Sequence, residues 1–436
     1  MTGRVRRIIG HGLFSLVMVT QFAVRADGQE TLTLDEAIAR GLKHSARLAE
    51  LQARQEGAAA AQAGRAAAKL PIVAAQVGYT RTNHVDPYVI AAPGPSLRVL
   101  YPDVPNNYRT RLDLQWPIYT SGRTGALERA AIAETQASGE DLAAARADLV
   151  LEITRAYWAL VTARETERVL AAAVRSLDAH VGDLRTRLDQ GLISPNDLLS
   201  AQATRSREHV AAIEAEARRQ TTEADLRRMI GGDGAIQPAD NASNPGSDTA
   251  IVTGSRPERR ALDQRLEAAR ERERAIRSTG KPQVFIGGGY DYARPNPHIF
   301  PREDKWENSW DASVNLSWTL WDGGRRVAEE SEAAAAARAL SARITEFDRQ
   351  VSYDIQARRL EIASARAAIA AAQEGIDAAV EARRVVGERY RAGVATSTEV
   401  LDAEVAVLQS ELDRTRAVAS LRLAEAQLAR ASGAPR

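Results

Sequence analysis

The chain has 436 residues, 58 Lys and Arg against 57 Asp and Glu, and no cysteine. The missing thiols exclude disulfide frameworks, thiolate metal sites and a cysteine nucleophile, and the balanced charge leaves no basic face for nucleic acid. Only 5% of residues are aromatic, too few to anchor several thick globular cores, whereas long Ala, Leu, Glu and Arg stretches point to extended, closely approaching helices.

Residues 1–26 hold four Arg and no acid. Arg4, Arg6 and Arg7 precede an apolar run around Leu13–Val19, and Val24-Arg25-Ala26 has a small-x-small pattern. A cleavable export signal is expected, with cleavage after Ala26. No later window offers the apolar length of a spanning helix, so a mature chain that enters a membrane must do so as strands.

A helical segment over residues 33–69 stops at Lys69-Leu70-Pro71, because proline disfavours a helical residue before it. The period then changes to two. Residues 72–82 form a weak strand, and after a loop rich in Pro, Asn and Asp the apolar Leu112, Leu114 and Trp116 alternate with Arg111, Asp113 and Gln115. From Arg123 to Gln190 the apolar positions repeat at steps of four and three, including Leu149, Ile153, Leu160, Leu170, Leu177 and Leu184, as in a coiled-coil seam. Such a helix reaches about 100 Å. At its far end Gly191 suits a C-terminal cap, Ser194 an N-cap, Pro195 the first helical position and Asp197 the acidic member of a capping box. A return helix runs to about Ile230, and residues 231–255 read as a linker.

The order then repeats. Trp116 aligns with Trp318, Gly122 with Gly324, Gly191 with Gly393 and Leu199 with Leu401 without a gap. Upstream the offset grows, which places extra residues in the surface loop between Tyr79 and Trp116. The second copy has a helix over 257–280, strands over 283–292 and 310–320, a rod from Arg325, a tip at Gly393-Val394-Ala395-Thr396, with Thr396 and Glu399 as the second capping box, and a return helix to about Arg430. The expected division is 1–26 signal, 27–230 first repeat, 231–255 linker and 256–436 second repeat.

Strands of about ten residues suit a tilted crossing of a bilayer. Two hairpins give four strands, below the eight of the smallest membrane barrels, so closure requires several chains. A soluble half-buried sheet shows the same alternation. The competing function is therefore a periplasmic coiled-coil scaffold or adaptor. His44, His84, His180, His209 and His298 are dispersed, and no phosphate loop or nucleophile elbow appears. No catalytic residue, metal or cofactor is expected, and Gly287-Gly288-Gly289 inside a strand reads as relief of crowding or as a bend in the sheet.

Leu32-Thr33-Leu34-Asp35-Glu36-Ala37, Trp318-Thr319-Leu320-Trp321-Asp322-Gly323-Gly324-Arg325, Tyr390-Arg391-Ala392-Gly393 and Glu399-Val400-Leu401-Asp402-Ala403 stand in this order along the chain. With these motifs the chain resembles the TolC-type outer-membrane efflux proteins. The resemblance implies a mainly helical chain with a transmembrane β portion. Four strands per copy would enter a trimeric twelve-stranded barrel, continued by an α-barrel across the periplasm of a Gram-negative cell. It further implies a duct for small molecules or polypeptides, with a periplasmic adaptor and an inner-membrane transporter as partners and outer-membrane lipid around the barrel.

By the same resemblance Glu399 and Asp402 fall on acidic gate positions, and Asp197 with Tyr390 on a pair that holds the closed state. Gly191, Leu192, Ser194, Gly393, Val394 and Thr396 fall on the adaptor-contacting tips. Ala395 stands where a well-known member has Arg, so an ion-pair latch would need Arg389 or Arg391. Capping alone accounts for Asp197 and Glu399 and is read as their primary duty, while core packing accounts as well for Tyr390 and a solvated face for Asp402. Trp116, Tyr119, Trp310, Trp318 and Trp321 form either an interfacial aromatic belt or filling at the junction of strands and helices.

Overall fold

The computed structural model describes residues 30–91, 97–232, 234–239 and 255–433; the export segment and most of the linker lie outside them. In chain order the elements are β1 (Glu30–Leu32), α1 (Leu34–His44), α2 (Ala46–Ala67), β2 (Ile72–Arg81), β3 (Tyr88–Ala91), β4 (Leu97–Tyr101), β5 (Asn106–Tyr119), α3 (Arg123–Asp189) and α4 (Pro195–Ile230). They continue with β6 (Ile236–Pro238), α5 (Pro257–Ser278), β7 (Gln283–Arg294), β8 (Glu307–Ser317), α6 (Arg325–Arg391) and α7 (Ser397–Ala431).

The two rods, α3 and α6, are each 67 residues long and unbroken. Each starts after a glycine in the left-handed region, Gly122 at φ 86° and Gly324 at φ 89°, which lets the chain turn from strand into helix where a Cβ would be strained. Each also ends in the same motif. The N–H of Gly191 bonds Leu188 and that of Leu192 bonds Arg187, while Gly393 bonds Tyr390 and Val394 bonds Arg389. These are the paired bonds of a glycine-closed helix terminus. The return helices α4 and α7 lie along their own rods.

Rods of equal length are buried very differently. α3 buries 21 residues and α6 four, because α2, α4, α5 and α7 all pack on α3. Arg260 to Glu140 at 2.7 Å and Arg272 to Glu134 at 2.9 Å set α5 antiparallel along α3. Arg430 reaches both Asp148 and Glu258, joining α7 to α3 and α5. The main apolar cluster holds Leu32, Ala37, Ile153, Tyr157, Leu160 and Leu226. There Gly41 lets α1 approach so closely that a Cβ would sit 2.3 Å from Ile153 Cδ1.

Strands β2, β5, β7 and β8 form one antiparallel sheet in that order. The two expected hairpins are therefore fused through β5 and β7, leaving β2 and β8 as free edges.

Several boundaries differ from the sequence reading. The first helix is two, because Ser45 adopts an extended conformation and caps α2 through Leu48 N–H. The last strand ends at Ser317 and not at Leu320. Ser317 already faces Gln283, and Pro282 before it has no N–H to continue the ladder. The fourteen-residue β5 exceeds the ten or eleven residues read from sequence. The extra residues of the first loop build the β3–β4 ribbon, and β1 pairs in parallel with β6; neither pair was expected. No helix among the described residues is long and apolar enough to cross a membrane.

Candidate functional site

The register separates two sheet faces. Val73, Ala75, Val77 and Tyr79 of β2 align with Leu114, Leu112, Thr110 and Tyr108 of β5. β5 passes the row on to Ile286, Gly288 and Tyr290 of β7, which face Val314, Ala312 and Trp310 of β8. Among the described residues nothing covers this apolar face, and Val77, Trp310, Val314 and Leu316 are strongly exposed. The opposite face carries Gln76, Arg109, Arg111, Asp113, Asp291, Asp311 and Ser313 by the same alternation.

On the polar face the charges are paired. Asp291, 1% exposed, accepts from Arg109 Nη2 at 3.1 Å and from Arg111, and Arg111 also meets Asp113 at 2.6 Å and Asp311 at 3.0 Å. A buried carboxylate is tolerated only with such compensation. Gly289 makes the arrangement possible, since a Cβ there would lie 2.1 Å from Arg111 Nη2. Gly287 does the same beneath Ser313, at 2.8 Å, so crowding accounts for both glycines. Asp291, His298 and Asp311 come close enough to suggest a cation site, but the Arg109 and Arg111 guanidiniums already neutralise Asp291.

Aromatic side chains mark both ends of the apolar face. Near the helices, the indole N–H groups of Trp116 and Trp318 donate to the carbonyls of Lys69 and Gly280, both at 3.1 Å. The two copies thus anchor a tryptophan to the helix-to-strand turn in the same way, and Tyr119 and Trp321 stand exposed beside them in sequence. At the far end Tyr79 and Tyr108 lie 5.0 Å apart, and Trp306 stacks on Tyr292 at 5.0 Å. Sequence reading missed this second cluster, whose members belong to four separate segments. From Tyr108 to Trp116 is about 27 Å along a strand, or about 20 Å of height at a barrel's tilt, near the apolar band of an outer-membrane barrel. Trp310 faces Tyr290, which faces Leu112, so along the register it stands midway between the two clusters.

At the helical tips both capping boxes form. Ser194 Oγ accepts from Asp197 N–H at 3.4 Å while Asp197 accepts from Ser194 N–H at 3.2 Å; Thr396 and Glu399 repeat this at 3.2 Å and 3.2 Å. Bonds from the Thr396 backbone and hydroxyl hold the Glu399 carboxyl below its usual range, with Arg389 adding a smaller attraction. Arg389 Nη1 is 3.9 Å from Glu399, a loose exposed pair. Asp402 is exposed, one turn further along α7.

The tip core gathers Leu177, Leu184, Leu198, Ala201 and Leu401, with Leu188, Ile193 and Tyr390 against it. Tyr390 therefore packs in the seam. Arg187 lies 4.6 Å over its ring and His180 meets it edge-on at 5.7 Å. Its hydroxyl is buried without a partner among the described residues, and burial raises its pKa. Asp197 is spent on its own cap and makes no bond to Tyr390. His180, absent from the sequence reading of the tip, has Nε2 3.1 Å from Ser397 Oγ at the start of α7, and burial lowers its pKa. Leu192 and Val394 stand exposed at equivalent places after the two glycines.

The chain matches the family model described as outer membrane efflux protein over residues 37–232 and 252–434. It is 28% identical over 429 residues to protein CyaE of Bordetella pertussis, covering 94% of this chain and 85% of that one. A membrane protein of Pseudomonas aeruginosa has the same fold, with a TM-score of 0.79 at 21% identity over 92% of this chain and 93% of its own. So does the Neisseria gonorrhoeae MtrE outer membrane channel in its open state, with a TM-score of 0.77 at 18% identity over 92% and 88%.

Proposed function

The chain belongs to the outer membrane efflux protein family, and from that premise we propose how its surfaces divide the work of an outer-membrane efflux channel of the tripartite or type I secretion kind. Family members form trimers that work with periplasmic adaptors and inner-membrane pumps. Three copies of this chain join β2 of one to β8 of the next, closing a twelve-stranded barrel with its apolar face in lipid and its charged face around water. The observation that carries the reading is the sheet itself, which among the described residues has two unpaired edges, an uncovered apolar face and aromatic clusters at both ends. In lipid an open edge leaves backbone groups without partners, at several kcal/mol each, so the edges must meet. The exposed face of α6 is what a neighbouring copy covers in the helical tunnel.

Asp197, Tyr390, Glu399 and Asp402 act at the tunnel tip. The unpartnered Tyr390 hydroxyl supports a bond across the closed tip, and Asp402, exposed on α7, supplies the acidic ring. The two exposed turns Gly191, Leu192, Ser194 and Gly393, Val394, Thr396 present paired apolar knobs to a periplasmic adaptor. Trp116, Tyr119, Trp318 and Trp321 form the periplasmic belt of the barrel. The two repeats are bounded as 27–230 and 256–436. Purified trimer in a planar bilayer is the test: stepwise ion conductance is expected, and a folded trimer that never conducts overturns the duct. A periplasmic scaffold would instead be extracted without detergent.

A further inference from the structure

The turn joining β7 to β8 does not continue the strands outward. His298 follows Asp291 by seven residues, about 23 Å in an extended chain, yet its Nε2 lies 3.6 Å from Asp291 Oδ2. Asp291 belongs to the polar face, so the turn has folded back over that face. Asn296, 1% exposed, fastens it there: its Nδ2 donates to the Glu307 carbonyl at 3.0 Å and to Ser309 Oγ at 3.1 Å, while its Oδ1 accepts from His298 N–H at 2.9 Å. Beyond it, Pro297 and Arg302 share a cleft with Gln76, Thr80, Arg109 and Arg111, all on or beside the polar face of β2 and β5.

The turn is also tied across the repeat. Arg302 N–H donates to the Leu100 carbonyl at 3.3 Å, Arg302 Nη1 donates to Tyr101 Oη at 2.6 Å, and the guanidinium lies 4.8 Å from the centre of the Tyr101 ring. One side chain of the second copy thus holds the β3–β4 ribbon of the first. Arg294 and Asp304 pair through two bonds, at 2.8 and 3.0 Å, across the base of the turn.

We propose that residues 295–306 form an inward-folded constriction at the exit end of the duct, locked to the β3–β4 ribbon by Arg302 on Tyr101, and that this strap sets the size of solute that passes the mouth. The inference rests on the duct reading above, because only in a closed barrel does the polar face enclose a lumen. Three copies bring three such straps to one opening. The position is remote from the helical tips, since the strands join the helices at their opposite ends.

The test is polymer exclusion in planar bilayers. Neutral polyethylene glycols of graded size are added on the exit side of wild-type trimer, of Arg302→Ala, of Tyr101→Ala, and of a variant with Pro297–Pro301 replaced by two glycines. Polymer entering from that side reads the mouth through the ionic current of channels whose tip is conducting. The expected result is that the variants admit polymers at least twice the mass of those admitted by the wild type, with the cut-off from the tip side unchanged. Folding is followed independently by trimer mobility on gels, and the two point variants stand if the shortened turn fails to assemble. Conducting trimers with one exit-side cut-off in all forms overturn the strap and leave the duct intact. A folded wild-type trimer that does not conduct overturns the duct, and the strap with it.

Discussion

At the scale of single residues, the tip carries acids with two possible duties, and geometry allows them to be separated. Ser194 and Thr396 accept helix N–H groups and have no place in the proposed gate, so Ser194→Ala and Thr396→Ala are each expected to cost about 1 kcal/mol in thermal unfolding while leaving conductance steps unchanged. Asp402→Asn touches no cap, and its expected effect is the reverse: unaltered melting and a raised fraction of open channels at neutral pH. His180 adds a pH dependence. Its ring sits at the positive N-terminus of α7, with Arg187 unfavourable and Asp183 and Glu404 favourable to its charge, and burial outweighing them. Because its folded pKa lies below the unfolded value near 6.5, the unfolded chain binds the extra proton. Tip stability is therefore full above about pH 6.5 and declines as the pH falls below it. Amide protection at the start of α7, read by hydrogen exchange between pH 7.5 and 5.5 and corrected for the intrinsic exchange rate at each pH, should fall at the acid end in the wild type and stay level in His180→Gln.

At the scale of elements, Gly289 is the residue on which the polar face depends. In Gly289→Val the new side chain would displace Arg111 and leave the buried Asp291 with Arg109 as its main partner, at a cost of about 2 kcal/mol. Gly78→Val is the control, since a Cβ there meets nothing within 4 Å. The temperature at which trimers dissociate on gels should fall for the first and hold for the second. The same contrast explains what sequence could reveal. Each capping box spans only four residues, Ser194 to Asp197 and Thr396 to Glu399, and a coiled-coil seam repeats within one helix, so both tips and both rods were legible from local spacing. The glycines of β7 were legible as relief of crowding or as a bend, and sequence could not choose between them or show what is crowded: Arg109 and Asp291 are 182 residues apart, and no local period records such a pairing. The second aromatic cluster, the β1–β6 pair and His180 against Ser397 failed to appear for the same reason. The β3–β4 ribbon was visible only as surplus length.

At the scale of the whole molecule, two rods with the same length and the same start and stop signals are buried unequally: α6 is covered mainly by α5 and α7, whereas α3 packs against α2, α4, α5 and α7, and among the described residues nothing pairs the outer edges of β2 and β8. Repetition in sequence therefore does not produce internal symmetry of environment. The first rod becomes the centre of a subunit and the second its rim, a difference set by which neighbours the connections bring to each. The absence of cysteine makes closure directly testable. Single cysteines at Gln76 or Thr80 on β2, combined with one at Ser309 or Ser313 on β8, place thiols on the polar face of the two edges without adding charge to the lipid side. Oxidation in outer membranes is expected to give a ladder that stops at three chains for the combination in register, because a ring has no fourth member to recruit. A ladder that continued past three would mean an open chain of subunits, and no cross-link in any combination would mean that the edges do not meet; either result contradicts a closed twelve-stranded barrel. The complementary change is Trp310→Arg, which puts a charge on the apolar face midway between the two aromatic clusters, at a cost of about 2–4 kcal/mol per copy near the bilayer midplane. Since closure repeats that cost around the ring, trimers should be lost from the outer membrane while the helical content of the chain, followed by circular dichroism, is retained.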